Sequence, residues 1–155
     1  MLNQEARFGL YTPAGMWELY RNGLSLGLGI AIGGALSALL APRRALLGLV
    51  AIAAAVAAAA LGYFAIDDWS EAVAGAVGGI LGTLAAGTVI GGALTRGGTR
   101  AGTSALIFVA ALGIAGLAFI PFVGFLEAVA LVVLAVRAQR RRPGRYAGLR
   151  SLARD

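Results

Sequence analysis

The sequence predicts an all-α fold, a polytopic integral membrane helical bundle of five spans with a short N-terminal interfacial segment and a basic C-terminal tail. Three observations predict it. Of the 155 residues, 59% are hydrophobic and only 13% are charged, and mean hydropathy is +0.85, whereas soluble domains are nearly half apolar and about a quarter charged. The apolar residues fall in blocks near the roughly twenty residues that cross a hydrocarbon layer. The charges gather between those blocks and after Val136.

Residues 1–22 form the interfacial segment. Phe8, Leu10, Tyr11, Trp17, Leu19 and Tyr20 stand among Glu5, Arg7, Glu18 and Arg21, a mixture suited to the headgroup layer, where amphipathic rings settle. Pro13 and Gly15 interrupt the stretch, so it reads as a loop and then a short interfacial helix over 14–21. Its length and balanced charges are unlike the n-region of a signal peptide.

Residues 23–137 form the bundle. The first span, 23–41, ends at Pro42-Arg43-Arg44, and the second, 45–66, ends at Asp67-Asp68-Trp69-Ser70-Glu71. The third, 72–94, is followed by the turn Thr95-Arg96-Gly97-Gly98-Thr99-Arg100. The apolar run over 101–136 would measure roughly 54 Å as one helix, too long for a single crossing. Pro121, with Gly124 behind it, breaks the run, dividing it into spans 101–118 and 119–137. Both halves are short, which leaves a tight hairpin or a sharply kinked pair.

With five spans, Arg43 and Arg44, Arg96 and Arg100, and the tail from Arg137 share one side, and the acidic turn at 67–71 falls on the other. Arginine-bearing short loops stay in the cytoplasm, so the expected location is the cytoplasmic (inner) membrane, multi-pass, with the C-terminus inside. Residues 138–155 are then a basic cytoplasmic tail. Arg137, Arg140, Arg141, Arg142 and Arg145 directly follow a span, which points to anionic lipid headgroups rather than nucleic acid. Leu149 and Leu152 with Arg150 and Arg154 fit a short amphipathic helix on that leaflet.

Ile32-Gly33-Gly34-Ala35-Leu36 recurs as Ile90-Gly91-Gly92-Ala93-Leu94 at an offset of 58. Such a match is compatible with a parallel repeat, and also with drift in a chain so rich in Gly, Ala and Leu.

Glycine is the most informative residue type. Gly75, Gly78, Gly79 and Gly82 share one helical stripe of the third span, while Gly87 and Gly91 turn to another face. Gly29 and Gly33 stand four apart in the first span. Helices in lipid pack through close backbone approach over small residues, so Gly29, Gly33, Gly75, Gly79, Gly82, Gly87 and Gly91 are the expected packing positions. The third span should lie between neighbours. Gly62, outside these stripes, is expected to tolerate a side chain better.

Glu127 is the one ionisable residue well inside an apolar run, the placement that marks a candidate proton or ion site. The alternative is that it lies near the outer interface and is simply solvated. Asp67, Asp68 and Glu71 lack the glycine and spacing of a calcium loop and read as a solvated turn. Cysteine and histidine are absent, which removes thiolate and imidazole ligation, thiol chemistry and disulfides. No phosphate loop or serine-hydrolase elbow is present, so no cofactor, metal or enzymatic activity is expected. The sequence therefore predicts a non-enzymatic structural or accessory membrane subunit, packed through its glycines with copies of itself or another membrane protein. The competing expectation is a small transporter or channel that uses Glu127.

Overall fold

The computed structural model describes residues 13–40, 46–66 and 68–140. Its elements are α1 (Pro13–Leu40), α2 (Leu47–Leu61) running into a π-helical turn (Gly62–Ile66), α3 (Trp69–Leu94), α4 (Arg100–Leu117) and α5 (Val123–Arg140). There is no strand among the described residues. Four helices, α1, α2 with its π turn, α3 and α4, are long and apolar enough to cross a membrane. α5 has 18 residues but carries Glu127, Arg137 and Arg140.

One boundary differs from the sequence reading, and one choice it left open is decided. The separate interfacial helix over 14–21 does not exist, because α1 runs unbroken through it to Leu40. Gly15 weakens a helix by about 1 kcal/mol without ending it, and the aromatic residues behind it simply extend the first span outward. The proline break is a hairpin rather than a kink: residues 118–122 make a turn in which the Ile120 amide donates to the Leu117 carbonyl at 2.9 Å. Phe122 takes φ 67° there, a left-handed conformation rare for a bulky side chain.

Long-range contacts fix the direction of every helix. The Tyr20 hydroxyl donates to the Phe119 carbonyl at 3.1 Å, so the α4–α5 turn lies level with residue 20 of α1. Arg21 reaches both Ile66 and Glu71, which brings the α2–α3 connection to that same level. Successive helices are therefore antiparallel, and the opposite end carries Arg96, Arg100 and Arg137. All four described acids, Glu18, Asp68, Glu71 and Glu127, lie in the half of the bundle nearest Tyr20.

Aromatic rings collect at that acidic end. Trp17 stacks near Tyr20 at 5.5 Å between centroids, and Tyr63 meets both Phe64 and Trp69 edge-on. The core is correspondingly slim: Ile30, Ala54, Ala58 and Ala86 are buried, whereas Leu49, Ile52, Val56, Leu106, Val109 and Val129 are more than 60% exposed. An exterior this apolar is matched to lipid, not to water.

The arginines 43 and 44, Asp67, the segment 1–12 and the tail residues Arg141, Arg142 and Arg145 lie outside the described residues, as does the side chain of Arg140.

Candidate functional site

The candidate site is organised around α1 and α3, whose backbones touch. A methyl group added to Gly29 would strike the Gly75 carbonyl, and one added to Gly33 would strike that of Gly79. From the other side, Gly78 and Gly82 press on the carbonyls of Leu26 and Ile30. Gly75 and Gly79 also meet α2, at the backbone of Ala58 and Ala54, so α3 lies between two neighbours. Thr83 seals the crossing by donating to Gly79 O at 2.9 Å while lying 3.4 Å from Gly33 O.

The two remaining packing positions part company. Gly87 sits under the Leu47 side chain, but Gly91 has nothing within 4 Å and instead borders an open groove between α3 and α5. The repeated pentapeptide thus lies in unlike surroundings, with Gly33 at a helix crossing and Gly91 in the open. The expectation for Gly62 fails outright. Its Cβ would collide with the Glu71 carbonyl, because the π turn carries Gly62 onto the first turn of α3.

That first turn holds the feature the sequence reading missed. Glu71 is 1% exposed, not part of a solvated acidic turn. Arg21 of α1 grips it with two parallel bonds, Nε to Oε1 at 2.8 Å and Nη2 to Oε2 at 3.0 Å. The same Nη2 donates to the carbonyl of Ile66, which the end of the π turn leaves without a helical partner. Ser25, one turn along α1, donates to the Glu71 carbonyl at 2.5 Å. Asp68 alone of the described acidic pair behaves as a turn residue: it is exposed and caps α3 by accepting from the Trp69 amide. Planar guanidinium–carboxylate pairs of this kind are both strong and geometrically exacting. This one ties α1, α2 and α3 together at the acidic end.

Glu127 is placed on another face of α1. A Cβ on Gly27 would lie 3.0 Å from Glu127 Oε2 and 2.7 Å from the Ala118 methyl. Its carboxylate therefore rests in the seam of α1, the α4–α5 turn and α5. Both oxygens are buried, and neither has a hydrogen-bond partner among the described residues. Gly124, behind the Pro121 break, presses on the Gly23 carbonyl, and the Phe125 ring covers Gly23. The helix break thus brings α5 into backbone contact with α1 and lodges Glu127 beside Gly27.

Arg137 is exposed at the opposite end. Among the described residues no group of three or more His, Cys, Asp or Glu side chains is placed to hold a metal. The Arg21–Glu71 pair was foreshadowed by one signal, since the five spans expected from the sequence put both residues at the same end. Comparison with protein-family models, with curated proteins and with solved structures gives no match to this chain, so its own residues carry the functional argument.

Proposed function

We propose that this chain is a non-enzymatic, five-span integral membrane protein of the cytoplasmic membrane, working as a structural or accessory subunit of a homo- or hetero-oligomer. α5 is the fifth span in this reading: its charges lie toward its ends, with Glu127 one turn in and Arg137 near the exit. Arg96, Arg100 and Arg137 at the end opposite the described acids, with Arg21 paired to Glu71, support a cytoplasmic tail. A cysteine introduced at Ser70, in a chain that has none, should react with an impermeant thiol reagent from outside intact cells. Reaction only after the membrane is opened would reverse the orientation.

The observation that carries the subunit reading is how the glycines are used. Gly29 and Gly33 of α1 and Gly75, Gly78, Gly79 and Gly82 of α3 are consumed inside the chain, whereas Gly113 and Gly116 on the exposed side of α4 have nothing within 4 Å. Small residues on an open helix face allow a second helix to approach closely. Gly113→Leu should therefore reduce the size of the detergent-solubilised assembly while leaving thermal stability of the fold unchanged. An unaltered assembly size would remove α4 from any interface. Glu127 favours a second reading, a small transporter for a proton or cation, because a buried carboxylate without a partner requires a physical explanation.

A further inference from the structure

The groove between α3 and α5 opens to the exterior and has a volume of about 420 Å³. Leu84, Thr88 and Gly91 form one wall, and Val132, Ala135 and Val136 the other. Thr88, the one polar residue among them, spends its hydroxyl on the Ala85 carbonyl at 2.7 Å. The lining therefore offers apolar contact and no free hydroxyl donor. The groove runs toward the arginine end, where the charged side chains described are those of Arg96, Arg100 and Arg137, with no described acid near them. Arg96 is held in place there: its Nε donates to the Gly92 carbonyl at 2.9 Å, folding the guanidinium back along α3 beside Gly92, the residue that follows the groove's Gly91. It makes no ion pair among the described residues, since Glu71 takes Arg21.

We propose that this groove is a binding site for one anionic phospholipid, its acyl chain between α3 and α5 and its phosphate on Arg96. The proposal rests on the membrane reading above and assigns one lipid class to one site. Charge complementarity selects the occupant. A guanidinium folded back against Gly92, one residue beyond the groove's Gly91 and with no competing carboxylate among the described residues near it, matches a phosphate attached to a hydrocarbon chain. It discriminates by headgroup charge, because the apolar walls serve any acyl chain equally.

The test uses the full-length, delipidated protein in maltoside detergent, titrated with phosphatidylglycerol or phosphatidylcholine of identical acyl chains, with bound lipids counted by native mass spectrometry. Wild type should retain one phosphatidylglycerol about tenfold more tightly than phosphatidylcholine, a difference of about 1.4 kcal/mol. Arg96→Gln should abolish that preference, while Arg141→Gln/Arg142→Gln/Arg145→Gln should leave it intact for this one lipid. Gly91→Phe fills the groove from a position with open space and should lose the lipid altogether. Ala135→Phe on the facing wall repeats the test should Gly91→Phe fold poorly.

Equal retention of both lipids by wild type overturns the site, and so does a preference that survives Arg96→Gln. If Gly91→Phe changes the size of the assembly and not the lipid count, the groove is an interface with a second copy and the lipid proposal falls. Release of the native protein from membranes by alkaline wash would instead sink the membrane reading beneath it.

Discussion

Two glutamates with buried carboxylate oxygens occupy the same half of this bundle under opposite conditions. Glu71 is enclosed by three helices and has every oxygen answered: Arg21 on both carboxylate atoms and Ser25 on the carbonyl. Glu127 is lodged against Gly27 with neither carboxylate oxygen answered. The difference follows from what α1 presents on its two faces. Toward α3 it offers Arg21 and Ser25, one turn apart; toward α5 it offers Gly23 and Gly27, which give room but no donor. A carboxylate in the first setting is a structural clamp. In the second it is either a cost carried for function or an incidental charge held by close packing.

The paired site should give the largest effect. Removing one partner of a buried ion pair leaves the other uncompensated and costs about 3–5 kcal/mol, so Glu71→Ala and Arg21→Ala should each destabilise the fold by that order in thermal unfolding. Arg21 remains 23% exposed, which places Arg21→Ala at the severe end, because it strands the more deeply buried Glu71. The double variant Arg21→Met/Glu71→Leu should recover most of the loss, since apolar replacement of a whole pair is often neutral or stabilising. Gly62→Leu attacks the same junction through the backbone and should match the single variants. Gly48→Leu, at a glycine with nothing within 4 Å, should cost almost nothing. Equal stability for Gly62→Leu and Gly48→Leu would mean that the π turn does not bear on Glu71.

Periodicity and length made the helices legible, since a run of twenty apolar residues bounded by charge has few other solutions. The stripe of Gly75, Gly78, Gly79 and Gly82 was legible for the same reason, as helical spacing alone puts those residues on one side. What sequence could not supply was the depth of each helix relative to its neighbours. Glu71 looked solvated because it stands close to Asp67 and Asp68 in sequence, yet Asp68 is the extended N-cap residue, outside the helix, whereas Glu71 belongs to the first turn of α3 and follows that helix's facing. Asp68 caps α3 in the open while Glu71 turns inward to Arg21. Gly62 was misjudged similarly, because a π turn shifts its facing and nothing in Gly-Tyr-Phe-Ala-Ile announces one. Gly91 matched Gly33 in local sequence and differed only in what lay opposite, which is a tertiary fact.

The unpaired site should give the smallest stability effect and the sharper functional answer. Glu127→Gln keeps the size of the side chain and removes its ability to carry charge. A neutral amide at a site without donors costs no more than a carboxylate there, so its thermal stability should equal wild type or exceed it by about 1 kcal/mol at most. A clear loss of stability would reveal a partner for Glu127 and dissolve the contrast with Glu71. The two functional readings then separate by flux in proteoliposomes of wild type and variant. If Glu127 is a proton or cation site, wild type conducts in a pH- or ion-dependent way and Glu127→Gln, folded and correctly inserted, does not. If the chain is a structural subunit, neither protein conducts above empty vesicles. A flux that survives intact in Glu127→Gln would leave a transporter whose path avoids this carboxylate, and the seam at Gly27 would then be packing alone.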